Sequence, residues 1–412
     1  MTALPRRFWR LYTSSATSNL ADGIGRTALP LLAASYTRDP VLVAGLTTFA
    51  FLPWLLFALP SGALVDRVDR RYAMSGANGL RALASGTLVV LTVLHAGSVP
   101  ALYAVAFLLG TAETVYDSAT RALLPQVVAR RELDRANGLL TVEETLGQQF
   151  VGAPVGSALF AVAAALPLAL NSAGFAVAAV LVLTLRGSYR PARPEGTTSV
   201  RRDVAAGVHW LARHPLLRGL TLVSAATAFA QSMASGVLVL YVLDVLHLPA
   251  GAFGLVLLGA GVGGVVGGLL TPPLARRVGR GPLLTGGAVL CAVAEGSLAF
   301  ASSGPAAATL AAASAAGVMV WNVLTMSLRQ SLIPEAAFGR VQGAYRTLVW
   351  GGIALGSLAG GAVAHVVGLR ALFLVSGAAL LVLAVVLGVL LRRHAAELTD
   401  EVLGEEPAAL PV

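Results

Sequence analysis

Asp22 and Arg26 stand four residues apart inside a long apolar run, with Asn19 one turn before them. An ionised side chain at the centre of a bilayer costs about 2.5 to 3.5 kcal/mol or more. These groups must therefore face protein or water, and their spacing puts Asp22 and Arg26 on one helical face where they can pair. A second run carries Glu113, Asp117 and Arg121 as one stripe at four-residue intervals. Two carboxylates a turn apart in a low-dielectric setting repel. Either one of them holds a proton near neutral pH, or an arginine such as Arg81 or Arg121 lies against them. Glu143 and Glu144 open a further run and point about 100° apart, so one faces the interior and the other meets a neighbouring helix. Acids placed this way can exchange protons or serve in fixed ion pairs, and the sequence leaves both readings open. The proton-coupling candidates are Asp22, Glu113, Asp117, Glu143 and Glu144, with Arg26, Arg81, Arg121 and Arg346 as charge partners inside the membrane.

The elements that must position them follow from composition. Of 412 residues, 56% are hydrophobic and 12% charged, half the ~25% charged share of an ordinary soluble domain. Apolar runs of about 20 residues broken by charge or Pro/Gly mark membrane spans. Six are predicted near 11–36, 41–65, 72–96, 100–120, 138–163 and 166–186, and six more near 217–246, 251–273, 282–301, 305–328, 341–366 and 369–391. The expected fold is all-α and polytopic, with twelve transmembrane helices in two pseudo-symmetric six-helix bundles. The expected divisions are 1–186 for the first bundle, 187–216 for a cytoplasmic linker, 217–392 for the second bundle and 393–412 for a mobile acidic tail. The linker, with Arg190, Arg193, Arg201 and Arg202 before Val204, Val208 and Leu211, should end in a short interfacial helix with Trp210 at headgroup level.

All 29 basic residues are arginine. In a twelve-span drawing they gather on one side, with only Arg38 and Arg370 opposite and Arg26, Arg81 and Arg346 inside spans. That bias puts both termini in the cytoplasm and the protein in the cell membrane, and it accounts for the net charge of +9 without nucleic acid. Arg6, Arg7 and Arg10 before an apolar run imitate a secretion signal, but Asp22 and Arg26 interrupt that run, which reads as an uncleaved first span. The single cysteine, Cys291, rules out an internal disulfide and a cysteine metal cluster. The histidines are split between the two sides, so no metal site and no cofactor is expected. Gly259, Gly261 and Gly264 match the dinucleotide fingerprint literally, yet no strand precedes them and Gly267 and Gly268 continue the same small-residue face, which marks helix packing. Glu295 lies in the ninth span; in the tenth, Trp321, Asn322 and Met326 suit an apolar binding cavity and core packing about equally.

A charged knot joins the second and third spans: Gly62, Asp66, Arg67, Asp69, Arg70 and Arg71. Its arginines alone could be cytoplasmic anchors. In the fifth span Gly147, Gly152, Pro154 and Gly156 make a small-residue face with a proline bend. The halves also repeat, since a shift of 205 positions lays Gly138 on Gly343, Gly147 on Gly352 and Gly156 on Gly361, and parallel six-helix repeats are a transporter signature. The knot resembles the loop between helices 2 and 3 of the major facilitator superfamily, with Asp69 where the commonest pattern has glycine. Gly-Ala-Pro-Val-Gly-Ser resembles the helix 5 motif of its drug and proton antiporters, with Ala153 in place of a glycine. Leu52-Pro53-Trp54, Arg135-Ala136-Asn137 and Gly339-Arg340-Val341 resemble a bacterial branch that includes enterobactin exporters and macrolide efflux proteins.

The resemblance implies alternating access around a central site from helices 1, 4, 7 and 10, with Asn19, Gln231, Trp321, Asn322 and Met326 as cavity candidates. It also implies a latch in which Asp66 meets the amino end of helix 11 near Gly339 and Arg340. The expected function is proton-coupled export of an amphiphilic small molecule such as a drug, antibiotic, secondary metabolite or siderophore, by a monomer in the lipid bilayer. An uptake symporter for a polar nutrient is the alternative, though Gln231, Ser232, Ser235, Asn322 and Thr325 supply few polar groups for it. A membrane enzyme or receptor is the reading from another class. No nucleophile with a base and no extracellular domain supports it, so no catalytic residue is assigned.

Overall fold

The protein, described by a computed structural model over residues 4–190 and 200–394, is built of helices, with no strand among the described residues. In order they are α1 (Arg6–Tyr36), α2 (Pro40–Val65), α3 (Arg70–Val93), α4 (Val99–Val127), α5 (Leu133–Thr145), α6 (Ala153–Val162), α7 (Ala165–Leu183), α8 (Val200–Arg213), α9 (Pro215–Ser235), α10 (Leu238–Leu240), α11 (Ala250–Val278), α12 (Arg280–Ser297), α13 (Gly304–Leu332), α14 (Glu335–Val367) and α15 (Leu369–Arg393). A π-helical stretch, Leu146–Gly152, joins α5 to α6, and a second, Tyr241–Val245, follows α10. Taken through these joins, twelve helical passes run along the described chain. Ten are long and apolar enough to cross a membrane. The two that fall short are α1, with Asp22 and Arg26, and α5–α6, with Glu143, Glu144, Gln148 and Gln149. They pack on each other, so the most polar passes shield one another.

Contacts divide the chain into two compact units. One comprises α1 to α7 together with Val242–Leu258. In it α1 packs on α7 and on the α5–α6 pass, α2 on α4, and α3 on both α4 and α7. Its innermost core joins Phe8, Leu11, Met74, Ala119, Leu123 and Val182. The other contains α8, α9, α10 to Tyr241, and the chain from Gly259 onward. There α9 packs on α14 and α15, and α12 on α13 and α15, around Leu216, Leu284, Leu328 and Leu387.

Connections are short where the helices are antiparallel neighbours. Gly279 alone separates α11 from α12 and Gly368 alone separates α14 from α15, with φ of +85° and +86°. A one-residue reversal needs this left-handed region, which glycine enters without a Cβ penalty. The predicted short helix before the second half is α8. Its Leu211 is buried and Val208 exposed, and the Trp210 ring stacks on His214 with centroids 5.7 Å apart. Residues 191–199 of the predicted linker and the predicted acidic tail from 395 lie outside the described residues.

Candidate functional site

Arg81 is the centre of the first unit's polar interior. Its side chain is 1% exposed, and its guanidinium lies over the rings of Phe175 and Tyr116, 4.9 and 5.4 Å from their centroids. Nη1 reaches Asp22 Oδ2 at 3.2 Å and Nη2 reaches Glu113 Oε2 at 3.7 Å. Three helices thus converge: α1 brings Asp22, α3 brings Arg81 and α4 brings Glu113. The pairing expected between Asp22 and Arg26 is not formed. Arg26 turns to Glu113 Oε1 at 3.9 Å with more than half its side chain exposed. The i,i+4 spacing permitted the first pair, but a fully buried Arg81 has to be neutralised from within the bundle, and Asp22 is the acid within reach.

The Glu113–Asp117–Arg121 stripe resolves into two pairs. Asp117 accepts from Arg121 Nε at 2.9 Å on a partly exposed face, while Glu113 faces Arg81 and Arg26. An arginine thus lies against each of the two acids. Arg346, expected as a partner inside the membrane, lies in the second unit with its guanidinium 5.9 Å from the centre of the Trp350 ring.

Beside this cluster a second network crosses from α1 to the α5–α6 pass. Asn19 Nδ2 donates to Glu143 Oε1 at 3.0 Å, and Gln148 Nε2 donates to Asn19 Oδ1 at 3.1 Å. Glu143 is buried, and its other oxygen has no hydrogen-bond partner. Glu144 is exposed, and the charged groups that act on it are Arg26, Asp117, Arg121 and Asp22 of the same polar interior. The π turn explains how Gln148 enters. Its extra backbone rotates Gln148 toward Asn19 and lets α1 come very close, so that a Cβ on Gly23 would stand 2.5 Å from Gln148 O and one on Gly152 would stand 2.7 Å from Gly23 Cα. Gly147 and Gly156 line the same approach, against Leu20 and Ile24 respectively. Pro154, at the start of α6, lacks the N–H that the widened turn leaves unpaired. The helix 5 motif is thus a backbone-to-backbone seam that delivers Gln148.

The charged knot is a tie within its own unit. Asp69 is buried and caps α3, accepting from Arg71 N at 3.0 Å through Oδ1 and from Tyr189 N at 3.1 Å through Oδ2. Its φ is −66°, so the turn has no need of the glycine found in the commoner pattern. Arg70 donates to Ala122 O and Arg71 to Leu185 O at 2.8 and 2.7 Å. Gly62 accepts from Asp66 N at 3.0 Å, and Asp66 and Arg67 are left exposed. Gly339 and Arg340, exposed near the start of α14, belong to the second unit.

Of the cavity candidates, Asn19 is buried in the Glu143 network. Trp321 lies inside the second unit, donating from Nε1 to Ser224 Oγ at 3.2 Å. Asn322 is exposed, and Met326 Sδ accepts from Arg329 at 3.5 Å. Gln231 Nε2 donates to Cys291 Sγ at 3.1 Å. The sequence did not rank Glu295, which is buried and accepts from Ser314 Oγ at 3.0 Å. Its signal was there to read, as the one acid in a run otherwise uncharged from Leu283 to Ser327. No group of three or more metal-binding side chains occurs among the described residues.

Comparison with known proteins gives the arrangement a setting. A family model described as transmembrane secretion effector, MFS_3, matches residues 5–407. An MFS-type transporter of Mycobacterium tuberculosis is 30% identical over 345 residues, covering 76% of this chain and 71% of the relative. The multidrug efflux pump Tap of Mycolicibacterium fortuitum is 26% identical over 384 residues, covering 90% and 93%. Among solved structures, a bacterial homologue of the iron transporter ferroportin aligns with TM-score 0.72 at 19% identity over 94% of this chain and 98% of that one. The nucleoside transporter NupG aligns with TM-score 0.73 at 12% identity over 94% and 100%. These two likenesses show the fold.

Proposed function

This chain belongs to the transmembrane secretion effector family of MFS transporters, an integral multi-pass membrane protein, and from that premise we propose that it exports amphiphilic small molecules in exchange for protons. The observation that carries the reading is the Arg81 cluster. A buried cation is held by two acids from two other helices, and protonating either acid alters the balance at a group that cannot reach water. Removing one partner of a buried ion pair costs about 3 to 5 kcal/mol, enough to move a two-state equilibrium by more than a hundredfold. Asp22 and Glu113 are the first proton carriers in this reading and Glu143 is the second, with Asn19 and Gln148 holding its carboxyl in place. Asp117, paired and partly exposed, serves Arg121.

The direction of transport is supported by the Tap likeness and by the lack of polar groups suited to a hydrophilic nutrient. Asp66 and Arg67, exposed at the end of a knot whose other charges are tied down, are the gating charges. The proposed site of action is the cell membrane, with both termini in the cytoplasm, a reading supported by the arginine distribution.

The experiment is antiport in vesicles. Inverted membrane vesicles that contain the protein are energised, and an added lipophilic cationic dye should dissipate part of the proton gradient. Asp22→Asn and Glu113→Gln, singly and together, should reduce that dissipation. Intact dye-driven pH changes in all three variants would overturn the assignment of the carriers, and dye accumulation driven inward by the gradient in cells would replace export with uptake.

A further inference from the structure

The first unit buries a cation, Arg81, and supplies it with two acids. The second unit buries an acid, Glu295, to which it brings no cation among the described residues. Glu295 on α12 is 8% exposed, and among the described residues no arginine or histidine pairs with it. Its recorded partner is the Ser314 hydroxyl from α13, at 3.0 Å. The groups around it can be named helix by helix. Its own helix contributes Cys291, α13 contributes Ser314, α9 contributes Gln231, and α15 meets this stretch through Gly377 packed on Gly296. None of these is ionic in its ordinary state.

They form a continuous chain. Gln231 Nε2 donates to Cys291 Sγ at 3.1 Å, Cys291 Sγ and Ser314 Oγ are 3.6 Å apart, and Ser314 Oγ donates to Glu295 Oε2 at 3.0 Å. Thiol and hydroxyl each donate and accept, so the chain can run in two senses. With the carboxylate ionised, each hydrogen points toward Glu295; with a proton on the carboxyl, the Ser314 hydrogen can reverse toward Cys291 Sγ, while Gln231 Nε2, a donor in both cases, ends the chain. An ionised carboxylate held here with one hydroxyl donor bears the cost of a charge buried away from water. A proton removes that cost without requiring any new counter-ion.

We infer that Glu295 is the proton-exchange centre of the carboxy-terminal unit, hydrogen-bonded through Ser314 to Cys291 and independent of the Arg81 cluster. The inference rests on the proton-coupled reading above and extends it. Each unit then takes up and releases its own proton: at Glu295 one proton adds to a carboxylate oxygen to give the neutral acid, and the same proton leaves when the chain next meets water. Gln231, half-buried, ends the chain as a donor to Cys291 Sγ.

The test is difference infrared spectroscopy on the purified full-length protein in lipid, stepped between alkaline and acidic buffer, without any transported compound. The carbonyl stretch of neutral carboxyls should grow on acidification, and one component of it should be lost in Glu295→Gln yet persist in Asp22→Asn/Glu113→Gln and in Glu143→Gln. Ser314→Ala leaves the acid in place and should move the midpoint of that component. The inference is overturned if Glu295→Gln removes no component of the band. Should that variant fail to fold, it is overturned by a midpoint that Ser314→Ala leaves unmoved. Failure of the broader reading looks different: the Glu295 band titrates while wild-type vesicles move no protons with any dye.

Discussion

Arg81 Nη1 and Asp22 Oδ2 meet at 3.2 Å across α3 and α1, with the arginine side chain 1% exposed and the aspartate 18%. Truncating the arginine leaves Asp22 and Glu113 facing a site that holds no other buried cation. Arg81→Ala should lower stability by about 3 to 5 kcal/mol, read as a lower melting temperature in detergent. Adding Asp22→Asn should recover part of the loss, because it removes one of the stranded charges. A variant as stable as the parent would mean that the cluster is solvated and holds nothing together.

Glu143 gives a sharper separation of binding from folding. Its buried carboxyl accepts one hydrogen bond from Asn19, and glutamine preserves that acceptor at nearly the same volume. Glu143→Gln should keep its melting temperature within about 1 kcal/mol of stability, the usual net worth of one hydrogen bond. It should also reduce proton release per dye molecule in inverted vesicles. An unchanged ratio would reduce Glu143 to a packing residue.

Much of this site could be read from the residues alone. The acids inside apolar runs, the fifth-span glycines and the knot were all visible as departures from a lipid-facing pattern. The partner assignments were not. Asp22 and Arg26 satisfy a local spacing rule, whereas Asp22 and Arg81 are 59 residues apart in sequence and meet only because α1 and α3 converge on α7. The π turn at Leu146–Gly152 was also hidden, since its sequence reads as an ordinary helix with glycines, and the widening becomes necessary only where Gly23 presses on Gln148. Asp69 was hidden in another way: it stands where the commonest pattern has glycine, and the structure uses it as a helix cap.

The seam between α1 and the α5–α6 pass predicts an asymmetry among glycines. Gly23→Ala puts a methyl 2.5 Å from Gln148 O, a backbone atom that cannot swing aside, while a Cβ on Gly138 meets nothing within 4 Å. Overpacking of this kind costs about 1 to 3 kcal/mol or more, and here it also displaces Gln148 from Asn19. Gly23→Ala should lose transport and melt lower, with Gly138→Ala indistinguishable from the parent in both measurements. Equal behaviour of the two variants would contradict the close approach.

Arg38 and Val68 provide the topological test. Arg38, in the turn between α1 and α2, pairs with Asp244 at 2.8 Å while more than half exposed, and an exposed pair contributes at most about 1 kcal/mol, so its loss leaves the fold standing. Val68 lies in the knot between α2 and α3. The native Cys291 is buried, which lets a single introduced thiol report by itself. In intact cells a membrane-impermeant maleimide should label Arg38→Cys and spare Val68→Cys, and opening the membrane should expose Val68→Cys to the same reagent. Labelling of Val68→Cys from outside would reverse the orientation, place the knot beyond the reach of the cytoplasm and remove the gating role assigned to Asp66 and Arg67.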